Sequence, residues 1–318
     1  MLRENRSEKK ISVIGTINRD TVIRADGSRY DGYGGILYNL SVLSSLAPPE
    51  FSIHPVVKIG SDRAGDILSL LDHLDHLNCD AVRIIDRINN HCTLRYHDAA
   101  AKTETLKGWV GGVGRTQLRK IIDAELILVN FISGADISRS NLAWLRKNSP
   151  GIIFMDFHSR TLGRRQHGGR FLRRPADWRE YLACADFAQM NEVEFELLSR
   201  EKAAAESCIK FVTSQRNATM RCLLVTCGAA GCFVAWRAGA RIRFASIAAP
   251  HVRRVVDTTG CGDIFSAAFI CSYLRNKDVV QAAECAVGLA SWRTQFGSLS
   301  GLDFRKASAK LLQSMSTS

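Results

Sequence analysis

The chain has 318 residues, long for one domain but within what an α/β fold can bury around a single core. Its 46% hydrophobic and 23% charged residues are the proportions of a soluble globular protein, and no apolar run approaches the roughly 20 residues of a membrane-spanning helix. A net charge of +12 suits an anionic ligand or nucleic acid, while the ten cysteines contain no Cys-x-x-Cys pair pointing to zinc or thioredoxin-type chemistry.

Unpaired cysteines and a polar first ten residues lead to the expectation of a cytoplasmic protein. Ile11-Ser12-Val13-Ile14-Gly15 alternates and then turns, the pattern of a first core strand. Asp20 follows where an α/β sheet presents ligand-binding side chains, although Asp also serves turns structurally. Gly34 and Gly35 precede a helical apolar pattern with Asn39 one turn inside, and such a pair lets a ligand approach the backbone. Asp62 precedes a helix running through Leu71 and is read as its N-terminal cap. The segments Cys92–Asp98 and Thr103–Trp109 read as a hairpin around a polar loop. Arg95 and His97 alternate on one of its faces, which meets either substrate or solvent.

Leu126–Phe131 and Ile152–Phe157 are continuous apolar runs with polar tips, as buried parallel strands have, and Leu142, Trp144 and Leu145 lie on a helix between them. His158 at the second tip is read as a capping or hydrogen-bonded histidine. Between Arg160 and Arg174 stand Arg164, Arg165, Arg170 and Arg173 with no acidic residue, either a solvated face or an arginine-rich loop near phosphates. Asn191 and Glu194, three apart, spell a helix-capping box. Leu223–Thr226, Gly228, Gly231 and Phe233 form a strand, a glycine turn and a returning strand.

Val255-Val256 then reads as a strand end running into Asp257-Thr258-Thr259-Gly260-Cys261-Gly262-Asp263, with apolar helices over 264–275 and 279–292 beyond. Gly260 and Gly262 permit a tight turn whose free N–H groups, at a helix start, make an anion cradle. Asp263 would repel that anion, so it is better placed to take a proton from a group attacking it. A helix cap is the plain structural alternative. Cys261 at the same helix start suggests a lowered thiol pKa and redox control, which burial would oppose.

This turn resembles the signature of the ribokinase/PfkB family of carbohydrate and nucleoside kinases, with Cys261 where that family usually has Ala. Gly15-x-x-Asn18-x-Asp20, Gly34-Gly35-x-x-x-Asn39, Asn191-x-x-Glu194 and Thr226-x-Gly228-x-x-Gly231 resemble its other motifs, in its order. The resemblance implies a three-layer α/β sandwich with a mostly parallel sheet and a small β lid, in a single domain over 1–318. Only 13 residues separate Asp20 from Gly34, so the lid is expected to be reduced, over about 18–35 and 91–110.

The activity implied is ATP-dependent phosphoryl transfer to a hydroxyl of a small sugar, sugar phosphate or nucleoside. In it Asp263 is the base, and the backbone of Gly260, Cys261 and Gly262 is the anion hole. Asn18, Asp20, Gly34, Gly35 and Asn39 hold the substrate. Asn191, Glu194, Thr226, Gly228 and Gly231 hold the nucleotide, and Glu194 reaches Mg²⁺ through water. Ala286, Leu289 and Ala290 mark the neighbourhood of the adenine. By the same resemblance a monovalent cation is considered, and a monomer or homodimer is expected. Nucleic acid and membrane are not expected as partners, since no aromatic platform accompanies the arginines and no apolar run is long enough. No Gly-x-x-x-x-Gly-Lys-Ser/Thr is present, so this is not a P-loop enzyme. The competing reading is a non-catalytic kinase-fold protein that binds nucleic acid or a protein partner through the basic 160–174 loop. Retention of Asp263 favours the enzyme.

Overall fold

The computed structural model describes residues 8–97, 102–215, 219–297, 299 and 302–315. The apolar runs become an eight-stranded sheet in the order Arg241–Ile247, Cys232–Ala238, Cys222–Thr226, Phe187–Asn191, Ile152–Asp156, Leu126–Asn130, Lys9–Ile14, Phe51–Val56. Six of these strands, from Cys222–Thr226 to Phe51–Val56, run parallel to their neighbours. The two at the other end pair antiparallel. Parallel strands need crossovers, and those crossovers cover both faces with helices, which is why the strands are apolar throughout.

Alternation along each strand feeds two cores. Leu126, Leu128, Phe154 and Phe187 pack with the helices Ile36–Leu46, Cys261–Asn276 and Val279–Arg293. Ile127, Val129, Ile153 and Met155 pack with Arg139–Asn148, Glu192–Ser199 and Ala205–Ser214. Phe269 fixes the helix Cys261–Asn276 on the sheet, its ring 5.7 Å from that of Phe154 and 5.9 Å from that of Phe187. A buried Phe stabilises by about 1.5–3 kcal/mol, so this contact helps hold the helix start over the carboxyl ends of the parallel strands. Ligands of open α/β sheets bind at those ends. The α/β sandwich expected from the sequence is the fold observed.

The lid is a separate four-stranded sheet, Arg29–Tyr33, Arg19–Ile23, His91–Tyr96 and Lys102–Lys107. The short spacing before Gly34 still accommodates a hairpin, closed by Arg24 N–H donating to Ser28 O at 2.9 Å. Residues 98–101 of the second hairpin lie outside the described residues. Its face toward the main sheet carries Cys92, Leu94, Lys102 and Glu104 rather than Arg95 and His97. Period-two alternation sends the latter pair to the opposite face.

Two further expectations are corrected. Val255-Val256 forms no strand; instead Val256 and Asp257 donate their N–H groups to Thr294 O, at 2.7 and 3.1 Å, beyond the end of the helix Val279–Arg293. Asp62 does not cap the helix Ala64–Asp72, whose N-cap is Arg63. The Asp62 carboxylate instead accepts Asn89 N–H at 2.7 Å and holds the loop before the lid strand His91–Tyr96. No helix among the described residues is long and apolar enough to cross a membrane.

Candidate active site

Gly260 is the residue before the helix Cys261–Asn276, with φ of 77°. A Cβ there would stand 2.5 Å from the Tyr38 ring, so glycine is demanded both by conformation and by space. Asp257 ties the turn from below: its Oδ1 accepts Thr259 N–H at 2.9 Å and Thr259 Oγ1–H at 2.7 Å. Its Oδ2 faces the fully buried Arg293 at 3.4 Å. These bonds give Asp257 and Thr259 a structural use in holding the turn.

Of the three amides expected to form the anion hole, Cys261 N–H donates to Thr258 O at 3.3 Å. Those of Gly260 and Gly262, joined by that of Asp263, have no protein acceptor among the described residues. A helix start leaves such donors open, and its dipole favours an anion there. Burial pushes the Cys261 thiol up to about 12, outweighing Arg293 nearby. The lowered thiol pKa expected from its position is therefore overturned, because desolvation of a thiolate costs more than the helix end returns.

The Asp263 carboxylate is buried and held from behind. Asn130, at the tip of Leu126–Asn130, donates Nδ2–H to Asp263 Oδ1 at 2.7 Å and to Asn39 Oδ1 at 2.9 Å. Asn39 in turn donates to Asp263 O at 2.7 Å and Ser266 Oγ at 2.9 Å. Asn39 is thus fully buried behind the base, not on a cavity wall. Gln189 Nε2 bridges Gly262 O and Asp156 Oδ2, both at 2.9 Å. Burial raises the Asp263 pKa, while His158 and the Asn130 donor oppose the rise. Burial would discharge His158, yet Asp263, Asp156, Glu194 and Glu104 together outweigh it and raise its pKa.

Two cavities meet at the turn, sharing Thr226, Thr258, Cys261 and Gly262. The smaller, of about 230 Å³, lies under the lid and is walled by Asn18, Asp20, Gly35, Asn191, His158 and Asp263 among others. The larger, of about 490 Å³, has Val252, Val255, Phe265, Val287 and Ala290 beside Gly228 and Gly231. Gly34 leaves the space that the Asp20 carboxylate fills, since a Cβ on it would lie 1.9 Å from Asp20 Oδ2. Burial, then Asp263, Glu104 and Asp257, raise the Asp20 pKa well above the usual range.

Residues 171–301 match the family model described as pfkB family carbohydrate kinase. That stretch, which carries the Gly260–Asp263 turn, is similar to the pfkB family. A search of curated protein sequences finds no match. Among solved structures, a pyrophosphate-dependent kinase in the ribokinase family, in complex with sulfate, superposes with a TM-score of 0.76 at 18% identity, covering 95% of this chain and 99% of that one. Ribokinase of Arabidopsis thaliana, complexed with ribose and ATP, gives 0.73 at 20%, covering 96% and 99%. A nucleoside kinase of Burkholderia thailandensis in complex with inosine gives 0.73 at 16%, covering 96% and 99%. At these identities the likeness is one of fold.

The family's Asn-x-x-Glu motif is a complete capping box here. Asn191 Oδ1 accepts Glu194 N–H at 2.9 Å, and the Glu194 oxygens accept Asn191 N–H at 3.0 Å and Nδ2–H at 2.8 Å. Glu194 is buried behind Asn191, with lone pairs left for water. No group of three or more His, Cys, Asp or Glu among the described residues is placed to hold a metal directly. This donor set fits a hydrated Mg²⁺ held through its waters, the form that ion prefers. The apolar walls of the larger cavity fit a flat nucleotide base. Of the residues guessed near the adenine, Ala290 lines that cavity and Ala286 and Leu289 do not. Asn130, Gln189 and Glu104 were not singled out from the sequence. Asn130 alone carried a signal, a polar tip on an apolar strand.

Proposed function

We propose that the chain transfers a phosphoryl group from ATP to a hydroxyl of a small sugar, sugar phosphate or nucleoside. The carrying observation is that Asp263 lines the polar cavity next to Cys261 and Gly262, which that cavity shares with the apolar one. Asn18 Oδ1 is buried without a donor, and Asp20 beside it offers only acceptors when ionised. Such atoms are costly until a ligand O–H meets them, which favours a polyhydroxylated acceptor. With Oδ1 fixed by Asn130, Asp263 has Oδ2 left to receive the acceptor's proton. Burial makes it a stronger base than an exposed carboxylate, and positioning carries most of the effect in phosphoryl transfer.

The open amides of Gly262 and Asp263 would take the charge of the transferred group, aided by the helix dipole. Mg²⁺, when bound, would neutralise phosphate charge, with Glu194 holding its waters. The apolar cavity favours a nucleotide over pyrophosphate as donor, because pyrophosphate has no base to bury. Incubation with ATP or pyrophosphate over a panel of sugars, sugar phosphates and nucleosides, followed by ³¹P NMR, tests the reading. ATP-dependent product is expected. Transfer from pyrophosphate alone would overturn the donor assignment, and no product with any acceptor would overturn the kinase reading.

A further inference from the structure

The basic segment folds into a hairpin, Leu162–Arg164 paired antiparallel with Arg170–Leu172, in which Arg164 stands directly opposite Arg170. Like charges facing across a strand pair destabilise it. Arg160 and Arg173 flank the hairpin, and the four arginines share a cavity of about 340 Å³ with Trp109 and the loop Ser133–Ala135. Asp136 secures that loop by accepting the N–H groups of Ser133 and Gly134, both at 3.0 Å. Arg164 lies over the Trp109 ring, 5.3 Å from its centre.

A solvated charge run would leave its guanidinium groups in water, but the Arg170 side chain is only 2% exposed. Its Nη1 and Nη2 donate to Ser133 O at 3.2 Å and Ser159 O at 3.3 Å, while its buried Nε has no acceptor. The facing carboxylate, Glu104, stands 3.9 Å away, beyond hydrogen-bonding range. Arg160 is neutralised by Asp177, at 2.6 and 2.7 Å, and its Nε is also buried and unmet. No acidic residue lines the cavity. Asp177 pairs with Arg160, and Glu104 and Asp136 lie near Arg170, whereas Arg164 and Arg173 have no carboxylate partner among the described residues, two positive charges that match a phosphoryl dianion.

We propose that this cavity, between the 162–172 hairpin and the 133–135 loop, is a binding site for a phosphoryl group. Its Arg170 links it to the space under the lid, because Glu104 and Ser159 line that space too. The phosphoryl group is either carried by the acceptor itself or belongs to a separate small phosphorylated ligand. The binding claim does not depend on the phosphoryl-transfer reading.

Isothermal titration of inorganic phosphate into the wild-type chain and into Arg164→Ala/Arg173→Ala tests it. Both side chains are exposed, so the fold should survive, and a melting curve checks this. The wild type should show a phosphate site that the alanine variant weakens at least about tenfold, the loss expected for charge-assisted bonds. Arg164→Lys/Arg173→Lys should keep more of it. Phosphate at the 260–262 turn would appear as a second site unchanged by either variant. Equal stoichiometry and affinity in wild type and alanine variant would overturn the proposal, as would no phosphate binding by the wild type. Ribose and ribose 5-phosphate then separate the two sources. Tighter binding of ribose 5-phosphate than of either ribose or phosphate, lost in the alanine variant, assigns the group to the acceptor. Binding of ribose 5-phosphate no tighter than phosphate, again lost in the variant, assigns it to a separate ligand.

Discussion

Asn130 Nδ2 donates to Asp263 Oδ1 at 2.7 Å, so the tip of a central strand aims the carboxylate of a helix start. The same amide group reaches Asn39, which clamps Asp263 O and Ser266. The carboxylate is therefore held by Asn130 and the backbone beneath it by Asn39 before any ligand arrives. We predict that Asn130→Ala lowers kcat about 10–100-fold, the range for a misaimed catalytic group, with the KM for donor nearly unchanged. A parallel loss of donor affinity would instead mean that the variant disturbs the whole turn.

Gly260 and Tyr38 form a second coupled pair. Gly260→Ala should destabilise the protein by about 1–3 kcal/mol, from left-handed backbone strain and from a Cβ 2.5 Å from the ring. Chemical denaturation measures this. Adding Tyr38→Ala should recover part of the loss, and full additivity of the two changes would show that the ring contact does not matter.

The carboxylates under the lid cost stability. Asp20 has a folded-state pKa raised well above its unfolded value, by burial and then by Asp263, Glu104 and Asp257. Its contribution is most favourable below the unfolded pKa and is lost as pH rises through the folded one. Asp20→Asn should therefore raise the melting temperature at neutral pH, with the gain shrinking in acid, while weakening the acceptor. A variant that melts lower at neutral pH would show that the carboxylate is satisfied in ways the burial argument misses.

A pH profile follows from the same cluster. Asp263 must be ionised to act, and burial raises its pKa, so activity should fall in acid at a pH above the ordinary carboxylate range. Positively charged His158 opposes that rise. His158→Ala should move the acid limb of kcat/KM to still higher pH. An unmoved limb would remove His158 from the electrostatics of the base.

Cys261 should be inert. With its thiol pushed up to about 12, little thiolate exists at neutral pH. Iodoacetamide should leave activity intact, and Cys261→Ala should stay within about twofold of wild type, since the hole is backbone. Rapid inactivation by the reagent, absent in that variant, would contradict this.

Much of this was legible before any coordinates. Continuous apolar runs such as Leu126–Val129 could only be buried strands, and two glycines around Cys261 could only serve a tight turn at a helix start. The second layer of the site was not legible, because it depends on distance in space. Asn130 and Gln189 look like ordinary strand positions until the fold brings them to the turn, and Asn39, which the resemblance implies holds substrate, lies buried behind Asp263. Val255-Val256 misled because β-branched residues favour strands, whereas here the backbone of Val256 and Asp257 pairs with Thr294 beyond a helix end. For Arg95 and His97 the sequence leaves substrate and solvent both open, because alternation shows that a strand has two faces and not which one is inward.

The most direct measurement is the turnover and donor affinity of Asp263→Asn beside the wild type, on whichever acceptor the ³¹P NMR panel identifies. The account predicts that kcat falls by about 10²–10⁴-fold, the usual worth of a positioned base, while the Kd for ATP stays within about threefold. Wild-type turnover in Asp263→Asn would contradict it.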